Sequence, residues 1–442
     1  MKRRGLKWTI LLTAAAMLVQ GCAPRGGEGT KRGEAASPST VQTAGGTLVV
    51  REVESPAGAE SREPELSAAS GGRVILSWVE KVGEKRYALR FAVREAAGWS
   101  AARTVAEGEN WFVNWADFPS VVELSDGSLA AHWLVKSGSG TYAYDVNVSR
   151  SPDGGGTWSA PVVPHTDRTE TEHGFVSLLA LPEGRLGVVW VDGRATKDMK
   201  EGHGEDEPLP VSMQLRYAEV GADGRLSGEA VLDERICECC QTSAALTAEG
   251  PLAVYRGRSE SEVRDIHAVR KSAAGWSAPL AVHADDWRIK GCPVNGPSVA
   301  AEGRRAAVAW YTAQGEAPRV NVAFSEDAGA TFGPAVRVDD GDVVGRADVL
   351  LLADGSALVC WMSGESGKGA VKVRRVALNG ALSPVALVAE ADVSRSGGFP
   401  RMARAGDTVY FAWTQFGKPP RVLTAAADVS AFKAVVTRPS MP

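Results

Sequence analysis

The sequence predicts an all-β protein: a β-propeller of four-stranded antiparallel blades, six or seven in number. Three observations carry this. A short apolar strand ending in an aromatic recurs seven times, a turn signal precedes each copy, and helical periodicity is missing over any three turns past residue 45.

In chain order, the first element is an export signal. Lys2, Arg3, Arg4 and Lys7 make a positive start, and Trp8 to Val19 is an apolar run too short to span a bilayer as a helix. It ends in Leu18-Val19-Gln20-Gly21-Cys22, which resembles the bacterial lipobox. That resemblance implies cleavage after residue 21 and lipidation of Cys22, and Ala23 after it implies the outer membrane. Two or three acyl chains, at roughly 0.8 kcal/mol per buried CH₂, make a stable anchor. Residues 22–45 are rich in Gly, Ser, Thr, Pro and charge, and are expected to be a flexible tether spanning on the order of 25 Å. The propeller is expected over 46–430, with 431–442 as a tail. The formal charge is −4, and losing the four leader cations makes the mature chain −8. An acidic chain without a basic stripe excludes nucleic acid as the natural partner.

The recurring aromatic stands at Trp78, Trp133, Trp190, Tyr255, Trp310, Trp361 and Trp413, with spacings of 55, 57, 65, 55, 51 and 52 residues. Turn pairs such as Asp126-Gly127, Glu183-Gly184 and Asp354-Gly355 come ahead of it. A third strand follows, such as Leu89 to Val93 or Val320 to Phe324, and then a weaker fourth. Four strands per ~50 residues is propeller arithmetic. The last repeat lacks its fourth strand, and Thr47 to Val53 is expected to supply it and close the ring.

Between third and fourth strands lie two turns of one pattern. Ser151-Pro152-Asp153-Gly154-Gly155-Gly156-Thr157-Trp158 matches Ser-x-Asp-x-Gly-x-Thr-Trp, and Ser325-Glu326-Asp327-Ala328-Gly329-Ala330-Thr331-Phe332 matches it with Phe for Trp. Asp accepts turn amides, Gly takes positive φ, and the aromatic packs on the blade. Ala97-Gly98-Trp99-Ser100 and Ala274-Gly275-Trp276-Ser277 are partial copies.

On these Asp-boxes the chain resembles the sialidase superfamily. The resemblance implies six blades, where the repeats suggest seven. It implies exo-glycosidase chemistry with three arginines on a substrate carboxylate, a Tyr nucleophile assisted by Glu, and an Asp acid/base. The family's opening Phe/Tyr-Arg-Ile-Pro is not matched; Phe118-Pro119 and Phe399-Pro400-Arg401 are nearest, in the wrong order. Tyr142, Tyr255 and Tyr311 are candidate nucleophiles by position alone.

Loops joining second to third strands, and loops leading into each innermost strand, form one face of a propeller. Two of the former are charged. One carries Asp192 and Arg194, then an insertion with Glu201, His203, Glu205, Asp206 and Glu207; the other carries Arg256, Arg258, Glu260, Arg264 and Asp265. Three arginines in nine residues can grip an acidic sugar, and Asp192, Glu260 and Asp265 are candidate acid/base groups. Arg256 facing Asp265 across a hairpin would instead be structural. The incoming loops add Trp111, Trp115 and Asp117, then Glu170, Glu172 and His173, then Trp287, Arg288 and Asn295 as candidate substrate-binding residues.

Cys237, Cys239, Cys240 and Cys292 lie in the incoming loops of adjacent repeats. In an exported chain they read first as disulfides, with a thiolate metal site as the sharper alternative. Cys360 reads as a buried strand residue. The resulting expectation is a lipid-anchored, monomeric, sialidase-like glycoside hydrolase or sugar-binding protein acting on exposed glycans, with no cofactor required. The competing expectation is a noncatalytic propeller that binds protein or glycan.

Overall fold

The computed structural model describes residues 40–43, 46–198, 212–364, 369–415 and 417–433. The expected signal peptide, Cys22 and most of the tether lie outside these residues. So do Glu201, His203, Glu205, Asp206, Glu207 and the last nine residues of the expected tail.

Seven antiparallel sheets follow one another along the chain, one for each recurring aromatic. Their innermost strands are Ser61–Ala69, Ser120–Glu123, His173–Ala180, Ser243–Thr247, Ser298–Glu302, Val343–Leu351 and Arg401–Ala405. These open blades 1 to 7. The seven repeats therefore give the blade count, and the six implied by the family resemblance is corrected. The described residues contain no α-helix, only 3-10 turns.

Ring closure comes from the N-terminal side. Arg51–Val53 pairs with Arg421–Asp428 as the outermost strand of blade 7. The closing strand is shorter than expected, because Gly46–Val49 pairs with Thr40–Thr43 in a separate hairpin. Composition alone gave no sign of that hairpin, since backbone pairing asks little of side chains.

The core is divided among the blade interfaces. The buried apolar residues fall into seven clusters, each drawn mainly from two neighbouring blades: Leu76 and Trp78 with Ala412 and Val422 between blades 1 and 7, and Val146 with Val188 and Trp190 between 2 and 3. Trp78, Trp190, Trp310 and Trp361 are fully buried, each in one of these interfaces. An indole buries 150–250 Å², enough to dominate such an interface. This is why an aromatic marks each repeat.

The two turns singled out by pattern are built alike. Asp153 Oδ1 accepts the Thr157 amide at 2.8 Å, and Ser151 Oγ accepts the Gly155 amide at 2.7 Å. Asp327 and Ser325 repeat this with Thr331 and Gly329. Gly155 has φ +94°, and a Cβ there would lie 2.3 Å from the Phe91 ring of blade 1. Trp158 meets the same ring edge-on at 6.0 Å. These turns lock one blade to the one before it.

Candidate functional site

On the face formed by the incoming and second-to-third-strand loops, three innermost strands begin with a bulge. Register slips between Arg62 and Glu65, Gly174 and Ser177, and Gly345 and Asp348. Within these bulges Glu63, Phe175 and Arg346 take φ of 55°, 51° and 56°. Such backbone costs on the order of 1–3 kcal/mol per residue and persists only where its surroundings hold it. Bulges re-aim side chains at functional places.

The Phe175 bulge turns its amide onto Asp117 Oδ2 at 2.8 Å. Tyr144 Oη donates to Glu172 Oε1 at 2.8 Å and lies 3.4 Å from Asp117 Oδ2. One hydroxyl proton serves Glu172, so a proton on Asp117 best satisfies the second contact. Burial raises the Asp117 carboxyl to about 7, against the Phe175 amide and Tyr144. Burial raises Glu172 to about 8, with Tyr144 opposing and Asp117 adding to the rise. Tyr144 is fully buried and stacks on Phe112 at 3.8 Å. Gly174 is required here, because a Cβ would lie 2.2 Å from Asp117 Oδ2 and 2.8 Å from Tyr144 Oη.

Glu63 extends this acid group. It is buried, its Oε2 has no partner, and burial raises it well above the usual carboxylate range despite Arg62. Above these acids a cleft of about 390 Å³ opens between blades 7, 1 and 2. Arg62, Glu63, Phe112, Asn114, Trp115 and Tyr142 line it. Tyr142 is half exposed. Trp115 is fixed from behind, with Arg346 at 4.8 Å from its ring and Phe399 stacked at 5.9 Å. Arg346 itself donates to the carbonyls of Ser394 and Gly398. Arg62 is the cation of the cleft wall; its nearest carboxylate is Glu60 at 3.8 Å, and its Nε has no partner.

A second cavity is the central channel, about 470 Å³, walled by all seven innermost strands. Inside it Arg401 pairs with Glu65 at 2.9 Å, and Asp348 accepts Ser298 Oγ and the Met402 amide.

The charged residues expected to hold substrate are engaged with the protein instead. Arg256 is buried and donates to the carbonyls of Arg264, Asn295 and Tyr311. Its register partner is Ile266, and Asp265 accepts the amides of Asp286 and Trp287. Arg258 and Arg264 both pair with Glu238 and Glu262. Asp192 is buried between Trp190 Nε1 and the Arg194 guanidinium, at 2.7–2.8 Å. Tyr255 donates to Asp233, and Asn295 Oδ1 accepts the Arg346 amide. Glu260 and Arg288 are exposed, the latter donating to the Ser261 carbonyl. Trp111 stacks on Trp133 rather than facing the cleft.

His173 is fully buried, stacked on His165 at 3.8 Å, with Nε2 3.2 Å from Asp167 Oδ2. Burial opposes its charge, but Asp167, Asp192 and Asp145 outweigh that and raise its pKa. Glu170 is exposed.

Of the expected residues, the structure brings Trp115 and Tyr142 into the cleft lining and gathers Asp117 and Glu172 on Tyr144 behind it. It adds Arg62, Glu63, Phe112 and Tyr144. A signal for Arg62 exists: Ser61-Arg62-Glu63-Pro64 shares Arg and Pro with Phe/Tyr-Arg-Ile-Pro. Tyr144 and Glu172 are 28 residues apart, and no local pattern links them.

The disulfide expectation is not met among the described residues: Cys237, Cys239, Cys240, Cys292 and Cys360 are all free thiols. Cys360 is buried in its strand, as its surroundings in sequence suggest.

No family model and no curated protein matches this chain. Solved structures do. A polysaccharide lyase, Uly1, is 9% identical over 83% of this chain and 90% of its own, with a TM-score of 0.51. A mutant of NanB sialidase from Streptococcus pneumoniae is 10% identical over 82% and 84%, with a TM-score of 0.43. A protein of unknown function from Dyadobacter fermentans is 13% identical over 86% and 99%, with a TM-score of 0.48. At these identities the likeness is one of fold.

Proposed function

We propose that this propeller is a carbohydrate-active protein, a glycoside hydrolase that takes an anionic saccharide in the cleft between blades 7, 1 and 2. The observation that carries the reading is the set of buried acids beneath that cleft. Glu63 lines the cleft with its carboxyl raised by burial, and Asp117 behind it, at about 7, keeps a proton near neutrality. Glu63 and Glu172 are likewise held neutral by burial, while Arg62 stands in the wall, its guanidinium only loosely paired with Glu60 at 3.8 Å. Phe112, Trp115 and Tyr142 give apolar faces for sugar rings. Arg62 matches a carboxylate or sulfate on the saccharide. Protonation of a glycosidic oxygen by Glu63, the one of these acids that lines the cleft, would start cleavage, with Asp117, Tyr144 and Glu172 as a neutral layer behind it. Anchoring through Cys22 and exposure on the outer membrane belong to the same proposal, since they would place the cleft among extracellular glycans.

The test is release of reducing ends from α-sialosides and from uronate-containing and sulfated polysaccharides. Turnover on one of these, lost in Glu63→Gln with the fold intact, is expected. Binding of the same saccharide without turnover in the wild type would leave a lectin and reject the hydrolase.

A further inference from the structure

The cysteines carry an inference of their own, although Cys292 is near enough to Glu172 to add to the rise of that carboxyl. Cys237, Cys239 and Cys240 come from the loop leading into blade 4, and Cys292 from the loop leading into blade 5. The sulfur of Cys237 lies 3.3 Å from that of Cys240 and 3.8 Å from that of Cys239. All three sulfurs lie within 4.8 Å of one another. Cys292 faces this group from the neighbouring loop, nearest Cys239, but its sulfur lies outside the mutual 4.8 Å of the other three. A tetrahedral ion with metal–sulfur bonds of about 2.3 Å sets its sulfurs roughly 3.8 Å apart. The spacing present is close to that, and far from the ~2.05 Å of a disulfide.

The surroundings suit collected thiolate charge. Arg264 Nη1 lies 3.2 Å from Cys237 Sγ, and Arg264 and Arg258 are both buried. Glu238 and Glu262 bridge these two guanidiniums and hold them in place. Glu238 and Glu262 balance the two arginines, and the Arg264 guanidinium, donating to Cys237 Sγ, favours the thiolate there. Cys237 and Cys240 are buried while Cys292 is exposed, so the site has a closed floor and one ligand open to solvent.

We propose that Cys237, Cys239 and Cys240, with Cys292 closing in from the adjacent loop as fourth ligand, form a four-thiolate site for one d10 cation, zinc or cuprous copper. Four sulfurs saturate a tetrahedral ion, so the ion would cross-link the loops of blades 4 and 5 rather than act as a Lewis acid. Each thiol gives up its proton to solvent on binding, and no oxidant or reductant is required. Cys292 is the ligand through which the ion enters and leaves.

The experiment titrates fully reduced protein, under anaerobic conditions, with Co(II) as the zinc probe and separately with Cu(I). The expected result is one ion per chain, loss of four reactive thiols, and intense tetrahedral cobalt d–d bands with thiolate charge transfer. Cys292→Ser, at an exposed position that spares the fold, should weaken binding by on the order of tenfold or more and change the cobalt spectrum. Cys360→Ala should bind as the wild type does. Binding of one metal but not the other identifies the ion and supports the site. Three results overturn it: no binding of any of these ions to reduced folded protein, equal binding by Cys292→Ser, or two disulfides among the four cysteines in protein that takes no metal once reduced. None of these depends on saccharide cleavage.

Discussion

Asp117→Asn should make this protein more stable, and more so the higher the pH. Asp117 is 2% exposed, and its folded carboxyl sits at about 7 against an ordinary 3.8. That gap corresponds to about 4 kcal/mol of preference for the neutral form. The folded pKa is the raised one. Below the ordinary value both folded and unfolded carboxyls are neutral, and no cost arises. As pH rises from there the unfolded chain ionises first, and folding loses stability until the folded group ionises too, near 7. An amide carries no such cost and can keep the Phe175 amide bond. The gain of Asp117→Asn over wild type should therefore grow by roughly 3 kcal/mol between pH 5 and pH 8. Urea unfolding of both proteins at the two pH values measures it. A gain that stays flat with pH would refute the claim that this carboxyl is held neutral, and with it the neutral acid layer behind the cleft.

Other outcomes follow from the same geometry. Gly174→Ala places a methyl against Asp117 and Tyr144, so it should abolish saccharide cleavage while the far-ultraviolet circular dichroism stays that of a β-protein. Gly155→Ala combines positive φ with a clash on Phe91 and should cost about 2–4 kcal/mol in denaturant unfolding. A cost under about 1 kcal/mol would mean the turn does not brace blade 1. Arg256→Met strips a guanidinium from three buried carbonyls and should destabilise by about 3 kcal/mol or more, seen as a lowered Tm without any ligand present. His173 has a raised folded pKa, so its ion pairing stabilises fully below about 6.5 and is lost as pH rises through the folded value. His173→Gln should remove that alkaline loss, and an unchanged pH profile would show the imidazole to be neutral.

The fold is legible in sequence because each blade interface needs its own buried aromatic and its own turn. Trp78 to Trp413 therefore report the blades one by one, and the missing strand of the last repeat points to closure by the N-terminal segment. The site is less legible. Arg256, Arg258 and Arg264 have the composition of a carboxylate clamp, but their partners are Glu238, Glu262 and backbone carbonyls brought close only by the ring. A guanidinium bound to a carbonyl and one waiting for a ligand look alike as letters. Asp117 and Glu172 are visible as polar residues in incoming loops, yet their meeting at Tyr144 joins blade 2 to the loop before blade 3. Glu63 is hidden for another reason: the Arg62–Glu65 bulge turns it, and the sequence announces that bulge only by Pro64.

The central claim is that the cleft over Glu63 and Asp117 holds an anionic saccharide through Arg62. The most direct test compares wild type and Arg62→Ala on a panel of neutral, carboxylated and sulfated glycans. The account predicts binding of one anionic class by the wild type, weakened by salt and lost in Arg62→Ala, with neutral glycans not retained by either protein. An absence of glycan binding in folded wild type, or binding indifferent to Arg62, would contradict it.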